Sequence, residues 1–245
     1  MKGKRVLITG ASGDIGASMV KLFASQGAWI GIHYQQNRKK AEILRESCKR
    51  QGAQAECFRG DLLEHAGSIR LMERFLKRFR RIDVLINNAG AVIGPAHFTK
   101  LNESSWDQTL ALNAKAPFFL ARQAFLQMKR QNGGKIINIS SVSAKYGGSP
   151  RTIHYGAAKA ALDAITVGLA RSGAPHRILV NSIRAGFIDP SFHRKIGRTQ
   201  LQKRIHLIPL QRAGVPLDVA RTALFLASEA GDFITGEVLT VSGGD

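Results

Sequence analysis

The feature that most constrains this chain is a regular alternation of two hydrophobic periods. Seven short apolar runs occupy residues 5–9 (RVLIT), 28–34 (AWIGIHY), 54–58 (QAECF), 83–87 (DVLIN), 135–140 (KIINIS), 178–183 (ILVNSI) and 237–241 (EVLTV). Between them, residues 15–26, 37–51, 65–80, 103–131, 152–172 and 216–228 carry apolar side chains three and four apart, as Met72, Phe75, Leu76 and Phe79 do. Most of the short runs have no polar face, so they belong in a sheet covered on both sides. Strands alternating with helices in this way predict right-handed βαβ units and a parallel sheet. With 245 residues and no linker, repeat or low-complexity block, one α/β domain over 1–245 is expected. In such a sheet a ligand sits beyond the carboxyl ends of the strands, which directs attention to the loops after the first, fourth and fifth strands.

Composition narrows the setting. No apolar stretch approaches the ~20 residues of a membrane helix, so no membrane association is expected. The first strand begins almost at Met1, no secretory leader is read there, and a cytoplasmic location follows as an expectation. Cys48 and Cys57 fall on a helix and the next strand and read as two unpaired thiols, with no metal site. The charge is unusual: 36 Lys and Arg against 17 Asp and Glu give a formal +19, a field that attracts polyanions without saying which.

Residues 9–16, TGASGDIG, follow the first strand and open a helix. A dinucleotide loop needs glycine where the chain turns, where backbone approaches a pyrophosphate and where helix packs on strand; Gly10, Gly13 and Gly16 supply three such points. Asp14 places a carboxylate near two negative phosphates. At a helix entrance it is expected to cap free backbone N–H groups and to point away from the phosphates.

Three further motifs give the loop its context. Asn87–Gly90 (NNAG) follows the fourth strand; Tyr155 to Lys159 reads YGAAK, with Ser141 fourteen residues upstream after NIS; and Asn113 lies in ALNAKAPFF. Together with the glycine loop they cover nearly the whole chain, which resembles the short-chain dehydrogenase/reductase family. That family's usual loop is T-G-x-x-x-G-x-G, and here the middle glycine stands one residue early, at Gly13. The resemblance implies a doubly wound, Rossmann-type sheet of seven parallel strands in the order 3-2-1-4-5-6-7, with helices on both faces. It implies Ser141, Tyr155, Lys159 and Asn113 as the catalytic set. It also implies nicotinamide-nucleotide contacts at Gly10, Ser12, Gly13, Ile15, Gly16, Asp61, Leu62, Asn88, Ala89, Gly90, Tyr155, Lys159, Gly186 and Ile188.

The chemistry explains these residue types. Reducing a carbonyl by hydride leaves an alkoxide-like oxygen that must be protonated or stabilised. A free tyrosine, with a pKa of about 10, is a weak acid near neutrality. Lys159, four residues on and on the same helix face, favours the phenolate. Ser141 is expected to orient the carbonyl. Asn113 is expected to hold a water that relays protons from Lys159, or else to fill a helix bend before Pro117. His154, Ser140 and Ser143 read as bystanders.

No carboxylate follows Tyr34 until Glu42, so nothing there favours a free ribose 2′-OH. Asn37, Arg38 and Lys39, with Ser12, suit a 2′-phosphate, or else Arg38 to Lys40 form the solvated start of a helix; NADP(H) is preferred over NAD(H). Two departures from the family pattern stand after the sixth strand: Ala185-Gly186 for Pro-Gly, and Pro190 where the family has Thr, with Ser191 as a substitute hydroxyl. Residues 190–210, basic and apolar, are expected to form the lid and pocket wall.

The nearest subgroup by pattern is the 3-oxoacyl-acyl-carrier-protein reductases of fatty acid biosynthesis. This implies reduction of a 3-oxoacyl thioester, an acidic acyl carrier protein as partner, and a homotetramer or homodimer. Lys129, Arg130, His176 and Arg177 stand where that group meets its carrier, or are ordinary solvated charges. Two alternatives stay open: the same chemistry on a sugar, steroid-like alcohol or quinone, and a non-catalytic scaffold that binds a polyanion. For the latter, Arg70, Arg74, Lys77, Arg78 and Arg81 form a stripe on residues 69–81, yet no nucleic-acid-reading motif accompanies it, and nucleic acid is disfavoured as a partner.

Overall fold

The computed structural model describes residues 1–189 and 201–245. Its seven strands are β1 (Arg5–Ile8), β2 (Trp29–Tyr34), β3 (Ala55–Arg59), β4 (Val84–Asn87), β5 (Gly134–Ser141), β6 (Ile178–Ala185) and β7 (Val238–Val241). All pair in parallel, in the order β3-β2-β1-β4-β5-β6-β7. The order reverses between β1 and β4, where Val6, Leu7 and Ile8 stand opposite Val84, Leu85 and Ile86.

Successive strand residues feed opposite faces. Val6, Ile8, Val84, Ile86, Ile137 and Ile139 enter one core, which α1 (Asp14–Ser25), α2 (Arg38–Arg50) and the late helix Pro216–Ala227 cover through Met19, Val20, Phe23, Leu44 and Val219. Leu7, Leu85 and Ile136 enter the other, under α3 (His65–Phe79) with Leu71, Met72, Phe75 and Phe79. The period of two and the absence of a polar face both follow from burial on each side.

The stretch expected as one helix over 103–131 is instead three pieces: α4 (Glu103–Leu110), a π-helical turn (Ala111–Lys115) and α5 (Ala116–Arg130). The widened turn carries Asn113, whose amide donates to the carbonyls of Ala91 at 2.8 Å and Thr109 at 2.9 Å. Drawing that side chain inward toward the β4 loop accounts for the extra residue in the turn. The remaining helices are α6 (Ser143–Tyr146), α7 (Ile153–Gly173), α8 (Leu201–His206) and α9 (Pro216–Ala227). Of the lid segment expected at 190–210, residues 190–200, with Pro190 and Ser191, lie outside the described residues; 201–210 begin with α8. No helix among the described residues is long and apolar enough to cross a membrane. Cys48 and Cys57 are free thiols.

Candidate active site

A cavity of about 550 Å³ opens along the carboxyl ends of the strands, running from the glycine loop to the end of β5. Its first wall is the turn from β1 into α1. Gly10 sits at φ +59°, where a side chain is strained. A Cβ on Gly16 would lie 2.5 Å from the Gly10 carbonyl and 2.7 Å from Ala11 Cα. The helix that follows presents its N-terminal N–H groups, a natural anion site. The turn is tied to the β4 loop: Thr9 Oγ1 accepts from the amides of Asn88 (2.9 Å) and Ala89 (3.0 Å), and Asn88 Nδ2 donates to the carbonyls of Thr9 and Gly10. A glycine cradle closed against a helix N-terminus fits the pyrophosphate of a nicotinamide dinucleotide, with Gly10, Ser12, Gly13, Ile15 and Gly16 to hold it.

Asp14 is placed differently from the expectation. Gly13 occupies the cap position and no side chain caps α1. The Asp14 carboxylate instead accepts from Lys40 Nζ at 2.9 Å, across from the first turn of α2, and the pair is about 40% exposed on each side. With an ammonium 26 residues away within reach, the charged partner outcompetes the local amides. Asn37 caps α2, its Oδ1 accepting from the Lys40 amide.

At the adenosine end the cavity wall contains His33, Gln35, Gln36, Asn37 and Leu62. Arg38 lies outside the wall, 77% exposed and paired with Glu42 at 2.7 Å. Asp61 is also outside it, its carboxylate accepting from the Leu63 amide. His33 is a residue that sequence reasoning missed. Its Nδ1 accepts from the Gly10 amide at 3.0 Å and its Nε2 donates to the Gly60 carbonyl at 3.2 Å. Burial pushes the imidazole down to about 4, so it is neutral and bridges the loops after β1 and β3.

At the other end, β5 and α7 bring the expected catalytic residues together. Ser141, Tyr155 and Lys159 all line the cavity, with Ala89, Gly90, Gly186 and Ile188. Ser141 Oγ accepts from the Ser143 amide at 3.1 Å, which leaves its hydroxyl proton to donate. Lys159 Nζ donates to the Ile139 carbonyl at 2.8 Å and sits 5.6 Å from the Tyr155 ring centroid. Burial lowers this ammonium to about 8, opposed by the charge of Asp163.

Asn113 is behind the wall, fully buried; its Oδ1 has no hydrogen-bond partner among the described residues. A Cβ on Gly90 would meet that oxygen at 2.6 Å and Lys159 Nζ at 3.0 Å, so both groups face one point above Gly90. Ser143 lines the cavity and orients Ser141, Ser140 lines it and donates to the Lys159 carbonyl, and His154 is turned to the Ile93 carbonyl.

The proposed carrier contacts lie elsewhere. Lys129 and Arg130 end α5, and the Arg177 carbonyl accepts from the Gly134 amide at the start of β5. This is the amino end of the strands, about 23 Å along an eight-residue strand from Ser141. The basic stripe over residues 69–81 is largely engaged: Arg70 with Glu64, Arg74 with the Arg59 carbonyl, Arg78 with Glu56 and, just past α3, Arg81 with Asp83.

Known proteins resemble this chain over its whole length. The family model described as enoyl-(acyl carrier protein) reductase matches residues 10–245. A 3-oxoacyl-[acyl-carrier-protein] reductase of Chlamydia pneumoniae is 34% identical over 242 residues, spanning 99% of this chain and 96% of its own. Nodulation protein G of Rhizobium meliloti is 32% identical over 244 residues, 100% and 97% of the two chains. Among solved structures, a 7α-hydroxysteroid dehydrogenase complexed with NADH and 7-oxo glycochenodeoxycholic acid matches with a TM-score of 0.93 at 29% identity, over 99% and 94% of the chains. A blue fluorescent protein from a metagenomic library in complex with NADPH matches at 0.92 and 30%, over 99% and 98%. The family model, the full-length relatives and the shared fold place the chain in the short-chain dehydrogenase/reductase family of oxidoreductases.

Proposed function

We propose that this chain is an NADP(H)-dependent carbonyl reductase whose substrate is a 3-oxoacyl thioester, carried on an acyl carrier protein or coenzyme A. The observation that carries the chemistry is the meeting of Ser141, Tyr155 and Lys159 at one end of a cavity whose other end is the glycine loop. The thioester is supported by the relatives named as 3-oxoacyl reductases. The phosphorylated nucleotide is supported by the wall after β2, where Gln35, Gln36 and Asn37 supply amides and no carboxylate. Ser12, and Lys40 once released from Asp14, are suited to a 2′-phosphate.

When bound, the nicotinamide supplies a hydride to the carbonyl carbon or takes one back in the reverse direction. The Ser141 hydroxyl donates a hydrogen bond to the carbonyl oxygen and fixes its orientation. Tyr155 transfers its phenol proton to that oxygen as charge develops there. The Lys159 ammonium, mostly protonated near neutrality, stabilises the phenolate left behind. Replacement protons reach Lys159 through a water held at Asn113 Oδ1.

The test follows NADPH oxidation with acetoacetyl-coenzyme A, an acetoacetyl carrier protein, crotonyl-coenzyme A, acetoin and a 7-oxo bile acid. The expected result is turnover of the acetoacetyl thioesters, loss of at least ~10³-fold in kcat for Tyr155→Phe, and nucleotide binding retained in that variant. Normal turnover by Tyr155→Phe removes the catalytic assignment. Turnover confined to the bile acid or acetoin removes the substrate assignment and keeps the carbonyl chemistry, whereas turnover confined to the crotonyl thioester, in which a C=C bond is reduced, removes the carbonyl-reductase assignment. A tetramer or dimer, the assembly proposed with this reading, is measured by light scattering.

A further inference from the structure

Beneath the reacting end of the cavity a run of buried polar side chains crosses the sheet. Asn87 on β4 donates to Asn138 on β5 (2.9 Å), Asn138 donates to Thr166 on α7 (2.8 Å), and Ser182 on β6 donates to Asp163 on α7 (2.9 Å). The run ends in an ion pair, Arg184 Nε to Asp163 Oδ2 at 2.7 Å, with Asp163 7% and Arg184 26% exposed. No catalytic step above uses it. A buried ion pair rarely adds stability over apolar side chains of the same volume, so its retention under a catalytic lysine points to another role.

Tyr155, Lys159 and Asp163 are spaced four residues apart on α7, one above another on the same helix face. Asp163 is one turn from Lys159 and two from Tyr155, so its field acts more on the ammonium than on the phenol. The other groups that face Lys159 are the Ile139 carbonyl from β5, Asn113 from the π-helical turn and Tyr155 from α7, while Arg184 from β6 reaches Asp163 and His154 is turned to the Ile93 carbonyl. Asp14, Asp189 and Arg204 line the wider cavity, where Asp14 is engaged by Lys40, and Arg204 by Asp245.

We propose that Asp163 is the counter-charge of Lys159, a positioning residue that keeps the lysine cationic beside Tyr155, and that Arg184 sets how much of that charge the lysine feels. The proposal rests on the reading of Tyr155 as the proton donor. Burial acting on Lys159, with the Asp163 charge opposing it, supports the same balance.

The experiment reads the phenol directly and needs no substrate. The chain has three tyrosines, so a Tyr34→Phe, Tyr146→Phe background leaves Tyr155 as the sole source of tyrosinate absorbance. Titration of that protein is compared with Asp163→Asn, Arg184→Met and the double variant, with melting temperatures measured alongside. In the coupled Tyr155 and Lys159 titration, removing Asp163 disfavours the phenolate–ammonium pair. Asp163→Asn is expected to move tyrosinate formation to higher pH by about one pH unit, and Arg184→Met to lower pH. The double variant, which removes both charges, is expected to recover melting temperature without recovering the parent titration. A titration unchanged in Asp163→Asn, or one that tracks melting temperature through all three variants, overturns the proposal. If Asp163→Asn does not fold, the Arg184→Met and double-variant titrations decide it. If the parent protein itself forms tyrosinate only at the pH of free tyrosine, the reading of Tyr155 fails instead.

Discussion

His33 provides the most direct test of how the nucleotide end of the cavity is built. Its ring spans two loops that chain continuity does not join, accepting from the Gly10 amide and donating to the Gly60 carbonyl. In His33→Leu both backbone groups lose their partner. At about 1–3 kcal/mol for each unsatisfied group, the expected loss of stability is about 2–6 kcal/mol. His33→Asn keeps an acceptor near the Nδ1 position, and His33→Gln keeps a donor near Nε2. The glycine turn depends on the first bond, so Asn is expected to hold NADPH within a few-fold of the parent while Gln and Leu weaken it ~10-fold or more. The pH dependence has a definite sign. The folded imidazole sits at about 4 against an ordinary 6.5, so between those values the unfolded chain binds the extra proton. Stability contributed by neutral His33 is present above pH 6.5 and is lost as pH falls toward 4, by roughly 3 kcal/mol in all. Chemical denaturation at pH 7, 6 and 5, with NADPH fluorescence titrations in parallel, measures both effects. Equal stability at pH 7 and 5 that His33→Leu leaves unchanged, or equal NADPH affinity for Asn, Gln and Leu, refutes the bridging role.

Two further substitutions address the rest of the cavity. Gly90→Ala puts a methyl 2.6 Å from Asn113 Oδ1 and 3.0 Å from Lys159 Nζ; overpacking of about 1–3 kcal/mol at this point is expected to lower kcat ~10- to 100-fold, while melting temperature falls only a few degrees. Steady-state kinetics and a thermal melt separate the two. Asp14→Gly removes an exposed ion pair worth about 0–1 kcal/mol, so stability is expected to change little. It also removes a negative charge from the phosphate turn and releases Lys40, and NADPH is expected to bind about 5-fold tighter at low salt, with the gain shrinking as salt rises. Fluorescence titration at two salt concentrations checks this.

Periodicity made the fold legible, since a strand buried on both faces and a helix with one apolar stripe leave different marks within ten residues. β5 was expected at 135–140 and runs from Gly134 to Ser141, while β6 was expected to stop at 183 and continues through Arg184 and Ala185. Arg184 resembles a strand exit in sequence, and only its bond to Asp163, 21 residues away, explains its place inside the sheet. Ser141, Tyr155 and Lys159 were legible because they form two short motifs on elements that meet at the strand ends. The residues misread or missed have distant partners: Asp14 with Lys40, and His33 with Gly10 and Gly60. No window of sequence holds both members of such a pair. The same limit applies to Lys129 and Arg177, whose motif position gives no hint that they lie at the opposite end of the sheet from Ser141.

The two bases at either end of the cavity show how one physical cause yields two roles. Burial lowers His33 from 6.5 to about 4 and Lys159 from 10.5 to about 8, a similar distance in each case. The first fall carries an imidazole well below neutrality, so it is fixed as a neutral acceptor and donor that holds backbone and takes no part in proton traffic. The second leaves an ammonium still mostly charged at neutral pH, and close enough to its titration point to exchange protons. Their neighbours reinforce the difference. His33 faces an amide that needs a neutral acceptor, which only the uncharged ring supplies. Lys159 faces a carbonyl and, one turn away, a carboxylate, both of which favour the cation. Exchanging the surroundings, by an acid near His33 or an apolar residue at 163, is therefore expected to undo each role: the first would charge the hinge of the nucleotide loop, and the second would discharge the partner of Tyr155.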